Sequence, residues 1–176
     1  MKKVVLLILI SCLLLTGCSV KKVEELSDSE KFSKEYNVSE KNPFIYSNYK
    51  EIITILKQET GIVLLANSDD EASIKAVKII TNLAKKENIE KIYYFNPMTI
   101  KDKDNKKYKE ILKEIENDIS DYELKLPTLY AIKDGKVINY SDNFTKKEEL
   151  SEEYLTDKQL KKIEDKYISI FNYEEE

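Results

Sequence analysis

The sequence predicts an α/β protein, with a mixed central β-sheet, helices on both faces and a C-terminal β-hairpin plus helix. Three observations predict it. Short apolar runs at Phe44-Ile45-Tyr46, Ile62-Val63-Leu64-Leu65-Ala66 and Ile92-Tyr93-Tyr94-Phe95 alternate with segments whose apolar residues recur at helical spacing. The middle run is apolar without interruption, as expected of a strand buried on both faces. The alternation ends at Asp134-Gly135 between two apolar runs, a hairpin signal because glycine accepts the positive φ that other residues resist. Strands alternating with helices and then an antiparallel hairpin require a mixed sheet.

The first residues read as a leader rather than part of the fold. Met1-Lys2-Lys3 is a short basic start and Val4 to Leu15 an apolar run too short to span a bilayer comfortably, so residues 1–17 read as a signal peptide. Leu15-Thr16-Gly17-Cys18 resembles the lipobox of bacterial lipoproteins. That resemblance implies cleavage before Cys18, lipidation of its sulfur (palmitate among the acyl groups), and a lipid-anchored place on the extracytoplasmic face of the cell membrane. Two acyl chains anchor stably where one is marginal. Residues 18–42 then read as lipidated N-terminus and tether, polar and charged with little apolar periodicity. Asn42-Pro43 marks the boundary, and 43–176 is the domain.

Within the domain, the run at Phe44 is the first strand. Ser47 is expected to cap a helix over Tyr49 to Gln58, with Ile52, Ile53, Ile55 and Leu56 on its apolar face. The strand at 62–66 turns at Asn67-Ser68-Asp69 into a helix from Glu71 to about Lys86, where Ile74, Val77, Ile80 and Leu83 recur. Asp69, Asp70 and Glu71 suit the positive end of that helix. The strand at 92–95 stops at Asn96-Pro97. Lys101 to Lys107 reads as a solvated loop, and Tyr108 to Ile119 as a helix. After the hairpin, Thr145 to Glu153 is a polar insertion. Thr156-Asp157 opens a last helix with Leu160, Ile163, Tyr167 and Ile170 on its core face, and Glu174-Glu175-Glu176 is a solvated tail.

Composition excludes several classes of function. The 176 residues suit one domain and a tether, and the net charge of −4 becomes more negative once Lys2 and Lys3 leave with the leader. Every basic residue is lysine, so the bidentate fork suited to phosphate and nucleic acid is missing, and no nucleic-acid partner is expected. The Lys-, Ile-, Asn- and Tyr-rich usage points to an AT-rich genome. There is no histidine, the commonest acid-base catalyst and metal ligand. Of the two cysteines, Cys12 is lost with the leader and Cys18 is blocked by lipid. The mature chain is therefore expected to hold no free thiol, disulfide or thiolate nucleophile.

The stretch Lys125-Leu126-Pro127-Thr128-Leu129-Tyr130-Ala131-Ile132-Lys133-Asp134-Gly135-Lys136-Val137 resembles the cis-proline strand and following hairpin of the thioredoxin superfamily. The Pro-Thr pair and the Lys-Asp-Gly-Lys turn carry the likeness, and the element order extends it from Phe44 to Phe171. The resemblance implies a thioredoxin-like fold with a cis Leu126–Pro127 bond. It also implies a binding edge at Leu126, Pro127 and Thr128 beside the active-site helix. The Cys-x-x-Cys position falls on Asp70-Glu71-Ala72-Ser73, with Asp70 for the first cysteine and Ser73 for the second. The buried acid of redox-active members falls at Leu64. The motif is lost, so thiol–disulfide exchange is not expected.

Read by themselves, residues 68–73 are also an ordinary acid-rich helix cap. No metal site is expected: Asp69-Asp70-Glu71 and Asp102-Lys103-Asp104-Asn105 lack the glycine and spacing of a calcium loop. Ser73 has no histidine, and a dyad with Lys75 or Lys78 has no pattern behind it. No cofactor is expected. The reading is a non-enzymatic, monomeric accessory module that binds a protein or peptide at the cell envelope, similar to thioredoxin-like lipoproteins of Gram-positive bacteria, including the bacteriocin-transport accessory group. Two alternatives are an envelope enzyme using Asp70 and Glu71 on the same scaffold, and a structural component with a vestigial cleft.

Overall fold

A computed structural model describes residues 25–120, 122–142 and 156–173. The leader, Cys18, the start of the tether, the polar insertion and the acidic tail lie outside the described residues. None of the described helices is long and apolar enough to cross a membrane. In chain order the elements are α1 (Asp28–Tyr36), β1 (Phe44–Tyr46), α2 (Tyr49–Gln58), β2 (Gly61–Leu65), α3 (Glu71–Lys86), β3 (Ile92–Phe95), α4 (Met98–Lys101), α5 (Asn105–Glu116), β4 (Thr128–Lys133), β5 (Lys136–Ser141) and α6 (Asp157–Phe171).

The five strands form one mixed sheet in the order β1-β3-β2-β4-β5. β1, β3 and β2 run parallel, and β4 is antiparallel to β2 and β5 to β4. Strand side chains alternate between two cores. Ile62, Leu64, Ile92, Tyr94, Leu129 and Ala131 join residues of α1, α3 and α6 on one face. Val63, Leu65, Phe95, Tyr130 and Ile132 join α2 and α5 on the other. The central strands are buried on both sides, which explains their unbroken apolar composition.

The polar stretch before Pro43 is not all tether. Residues Asp28–Tyr36 form a helix opened by a capping box between Ser27 and Glu30, and Asn37 closes it in the left-handed region. Phe32 and Tyr36 are fully buried, and Phe32 stacks on Phe44 at 3.9 Å. The folded unit therefore begins near Ser27, not at Pro43. Other boundaries also move. Asn48 rather than Ser47 caps α2, because its side chain accepts from the N–H groups of Lys50 and Glu51. Asp104 caps α5, which starts at Asn105 inside the expected loop and ends at Glu116 rather than Ile119. The short α4 ends at Lys101, so only 102–104 are left as the connection.

Both sheet edges are closed to further pairing. At β1, the N–H of Phe44 donates to Asn42 Oδ1 at 3.2 Å and that of Tyr46 to Asp28 Oδ2 at 3.1 Å. At β5, Ala131 faces Asn139 and Ile132 faces Val137, so Ile138 bulges without a partner. Lys133 and Lys136 flank that bulge. Capped donors, a bulge and edge lysines are the usual means of preventing strand addition.

Beneath α1 lies a buried polar knot. Tyr94 Oη donates to Glu35 Oε1 at 2.7 Å and meets Tyr36 Oη at 3.0 Å, while Tyr46 also donates to Glu35. Burial pushes Tyr94, Tyr36 and Tyr46 well above the ordinary phenol range. On the opposite face burial does the same to Tyr130. A phenol with a raised folded pKa holds its proton more tightly than in the unfolded chain. Its stabilisation is complete below the unfolded value of about 10 and is lost as pH rises past it. The denaturation midpoint should thus be level to about pH 9 and fall above pH 10. A midpoint unchanged through pH 11 would contradict the burial of these phenols.

Candidate functional site

The carboxyl ends of β2 and β3, the start of α3 and the entry to β4 meet at one end of the sheet. In open α/β sheets ligands bind in the crevice outside the carboxyl ends of the parallel strands. Register places the entry to β4 there: Thr128 is the partner of Leu65, so Pro127 lies level with Ala66. The Leu126–Pro127 bond is cis. Pro127 is buried, and Thr128 is fully buried with its hydroxyl donating to the Lys125 carbonyl at 2.5 Å. Of this trio, only Leu126 is partly exposed, while packing against the second core.

The start of α3 is tied down by its own polar groups. Asp70 is the N-cap, and its Oδ2 accepts from the Ser73 N–H at 2.8 Å and the Ser73 hydroxyl at 2.9 Å. The same hydroxyl accepts from the Asn67 N–H at 3.2 Å. Asn67 Oδ1 in turn accepts from Asn96 Nδ2 at 3.0 Å, linking the ends of β2 and β3. Ala72 and Ser73 are buried and Leu64 is fully enclosed, so the sequence-expected positions are packing and capping groups.

Glu71 points elsewhere. It is exposed and pairs with Lys75 at 2.8 Å, and that ammonium holds its carboxyl below the usual carboxylate range. Asp70 and Glu71 therefore do not converge on one point. Among the described residues no group of three or more His, Cys, Asp or Glu side chains is placed to hold a metal ion.

Ser73→Ala is expected to cost about 1–3 kcal/mol, because the partly buried Asn67 N–H loses its acceptor and Asp70 a donor. Ser73→Cys should recover part of this, since a thiol is a weak donor and acceptor. Urea denaturation of both variants tests the network. An unchanged midpoint for Ser73→Ala would mean the network stabilises nothing.

Sequence reasoning missed two features. One is the Asn67–Asn96 bridge, which joins residues distant in sequence through strand pairing. The other is a cleft of about 470 Å³ on the α2 side of β1, floored by Ile45, Ile55 and Tyr93, with Lys50 and Lys91 at its mouth. Gly61 makes room for this floor, since a Cβ there would stand 3.0 Å from the Tyr93 ring. Nothing in the spacing of Gly61 and Tyr93 announces that contact. No protein family, curated protein or solved structure matches the chain.

Proposed function

We propose that this chain is a lipid-anchored, redox-inactive thioredoxin-like protein that binds a protein or peptide at the extracytoplasmic face of the cell membrane. The observation that carries the reading is the register of β4 on β2, which sets Leu126–Pro127 beside the strand leading into α3. That is the relation the thioredoxin resemblance calls for between the proline edge and the active-site helix. The strand, helix and hairpin order supports the same reading. At the position of the two cysteines stands the Asp70–Ser73 hydrogen-bonded pair, which stabilises a helix start and offers no electron-transfer chemistry. Asp70 bound to Ser73 and Glu71 paired with Lys75 lend no support to a carboxylate enzyme. The blocked sheet edges favour a monomer.

The reading has two tests. Anchoring is tested by Cys18→Ala, which should release the chain from the membrane fraction or leave it as an uncleaved precursor; unchanged cleavage and retention would overturn the anchor. Partner binding is tested by a photo-crosslinking residue at Leu126 in the full chain on intact cells. A discrete adduct is expected there and not from the same group at Lys133. Absence of any adduct would leave the edge without a binding role and favour a structural envelope component.

A further inference from the structure

We propose that the cleft beside β1 takes the glycerophosphate headgroup region of a phospholipid from the bilayer to which the chain is tied. The inference rests on the lipid-anchor reading above and gives the anchored domain a second membrane contact.

Position comes first. The chain enters the fold on the β1 edge, where Asp28 Oδ2 accepts from the Tyr46 N–H at 3.1 Å. Tyr46 also lines the cleft, so the entry point and the cleft share one strand. Eight residues lie between Cys18 and Ser27, nine Cα-to-Cα steps in all. Even fully extended, they reach at most about 32 Å. Ser27, the neighbour of the Asp28 that bonds the β1 edge, is thus held within that distance of the headgroups. A tethered site meets its ligand at an effective concentration on the order of millimolar, so weak intrinsic binding suffices.

Chemistry then selects the ligand. The floor of Ile45, Ile55 and Tyr93 suits the first carbons of acyl chains. At the mouth, Lys50 and Lys91 have no carboxylate within ion-pair distance among the described residues, unlike Lys57, Lys75 and Lys107. Lys91 Nζ donates to Tyr93 Oη at 2.8 Å and lies 4.6 Å from the centre of that ring, which holds one cation against the apolar floor. An ammonium with only a neutral partner retains its attraction for a phosphodiester. An added peptide strand is disfavoured because the outward N–H groups of Phe44 and Tyr46 are already bonded. The acids Glu51 and Glu59 at the same mouth disfavour a more highly charged anion.

The chain contains no tryptophan, so single reporters are clean. The mature chain with lipid on Cys18 is reconstituted into phosphatidylglycerol–phosphatidylcholine vesicles brominated near the glycerol, carrying either Thr54→Trp in the cleft wall or Ile138→Trp on the far edge. Most of the Thr54→Trp emission should be lost to quenching, while Ile138→Trp keeps its emission. Adding Lys50→Glu and Lys91→Glu to Thr54→Trp should restore emission, with an unchanged circular dichroism spectrum. Equal quenching at both sites, no quenching at residue 54 in protein that floats with the vesicles, or quenching indifferent to both lysine reversals would overturn the proposal. Failure to float is a separate result that sinks the anchor reading. In that case dihexanoylphosphatidylglycerol added to the leaderless Thr54→Trp chain decides the cleft. A lysine-dependent emission shift upholds lipid binding, and no shift overturns it.

Discussion

Phe32→Ala is expected to destabilise the domain by about 3–5 kcal/mol, the usual cost of removing a fully buried aromatic ring. Phe32 lies under α1 with no exposed surface. Its ring stacks on Phe44 at 3.9 Å and Tyr36 at 4.7 Å, and meets the edge of Tyr94 at 5.0 Å. Such aromatic pairs add about 0.5–1.5 kcal/mol beyond the area they bury. Against a typical total stability of about 5–15 kcal/mol, this loss is a large fraction of what holds the domain folded. Lys34→Ala on the exposed side of the same helix should stay within about 0.5 kcal/mol. Urea denaturation of the two variants separates a docked helix from a tether. If both are neutral, residues 28–36 do not belong to the folded unit.

Gly135→Val is expected to be almost as damaging, for a different reason. Asp134 and Gly135 both have positive φ, 51° and 73°, giving the two-residue turn that matches strand twist in a tight hairpin. The turn also docks on the end of α2. The Gly135 N–H donates to the Glu59 carbonyl at 2.9 Å and the Asp134 N–H to the Thr60 hydroxyl at 3.0 Å. A Cβ on residue 135 would lie 2.2 Å from the carbonyl carbon and oxygen of Lys57. Those are backbone atoms of a helix and cannot swing aside like a side-chain tip. Left-handed strain costs about 1–2 kcal/mol and overpacking about 1–3, so a loss of roughly 2–5 kcal/mol is expected. Lys136→Val, one residue on and exposed, is the control. Equal midpoints for the two valine variants would show that the tip does not press on α2.

The core of the fold was legible because its signals are local. The apolar runs at 62–66 and 92–95 became strands, and the 3.6-residue spacing of Ile74, Val77, Ile80 and Leu83 became α3 over its expected length. Asp134-Gly135 became the turn, and Thr156 the cap of α6. The first helix was missed although its signals were present. Ser27 with Glu30 is a capping box, and Phe32 with Tyr36 is an i, i+4 aromatic pair. The surrounding lysines and acids hid that narrow apolar stripe, and the composition of residues 19–42 as a whole read as a tether. At 101–107, the high charge obscured Asp104, whose side chain accepts from the Lys107 N–H and starts α5 early.

By itself the sequence determined the α/β class, the extent of most elements, the absence of histidine and the lack of a cysteine near α3. Each of these follows from residue identity or from spacing within one element. Only the tertiary structure decided how Asp70, Glu71 and Ser73 are used: Asp70 and Ser73 bond one another and Asn67, whereas Glu71 turns outward to Lys75. It also decided that Tyr46 and Tyr94 share the Glu35 carboxylate while Tyr36 bonds Tyr94, and that a cleft opens between β1 and α2. These arrangements join residues up to 59 positions apart. Strand register and helix docking bring such residues together, and a single sequence carries no local pattern for either.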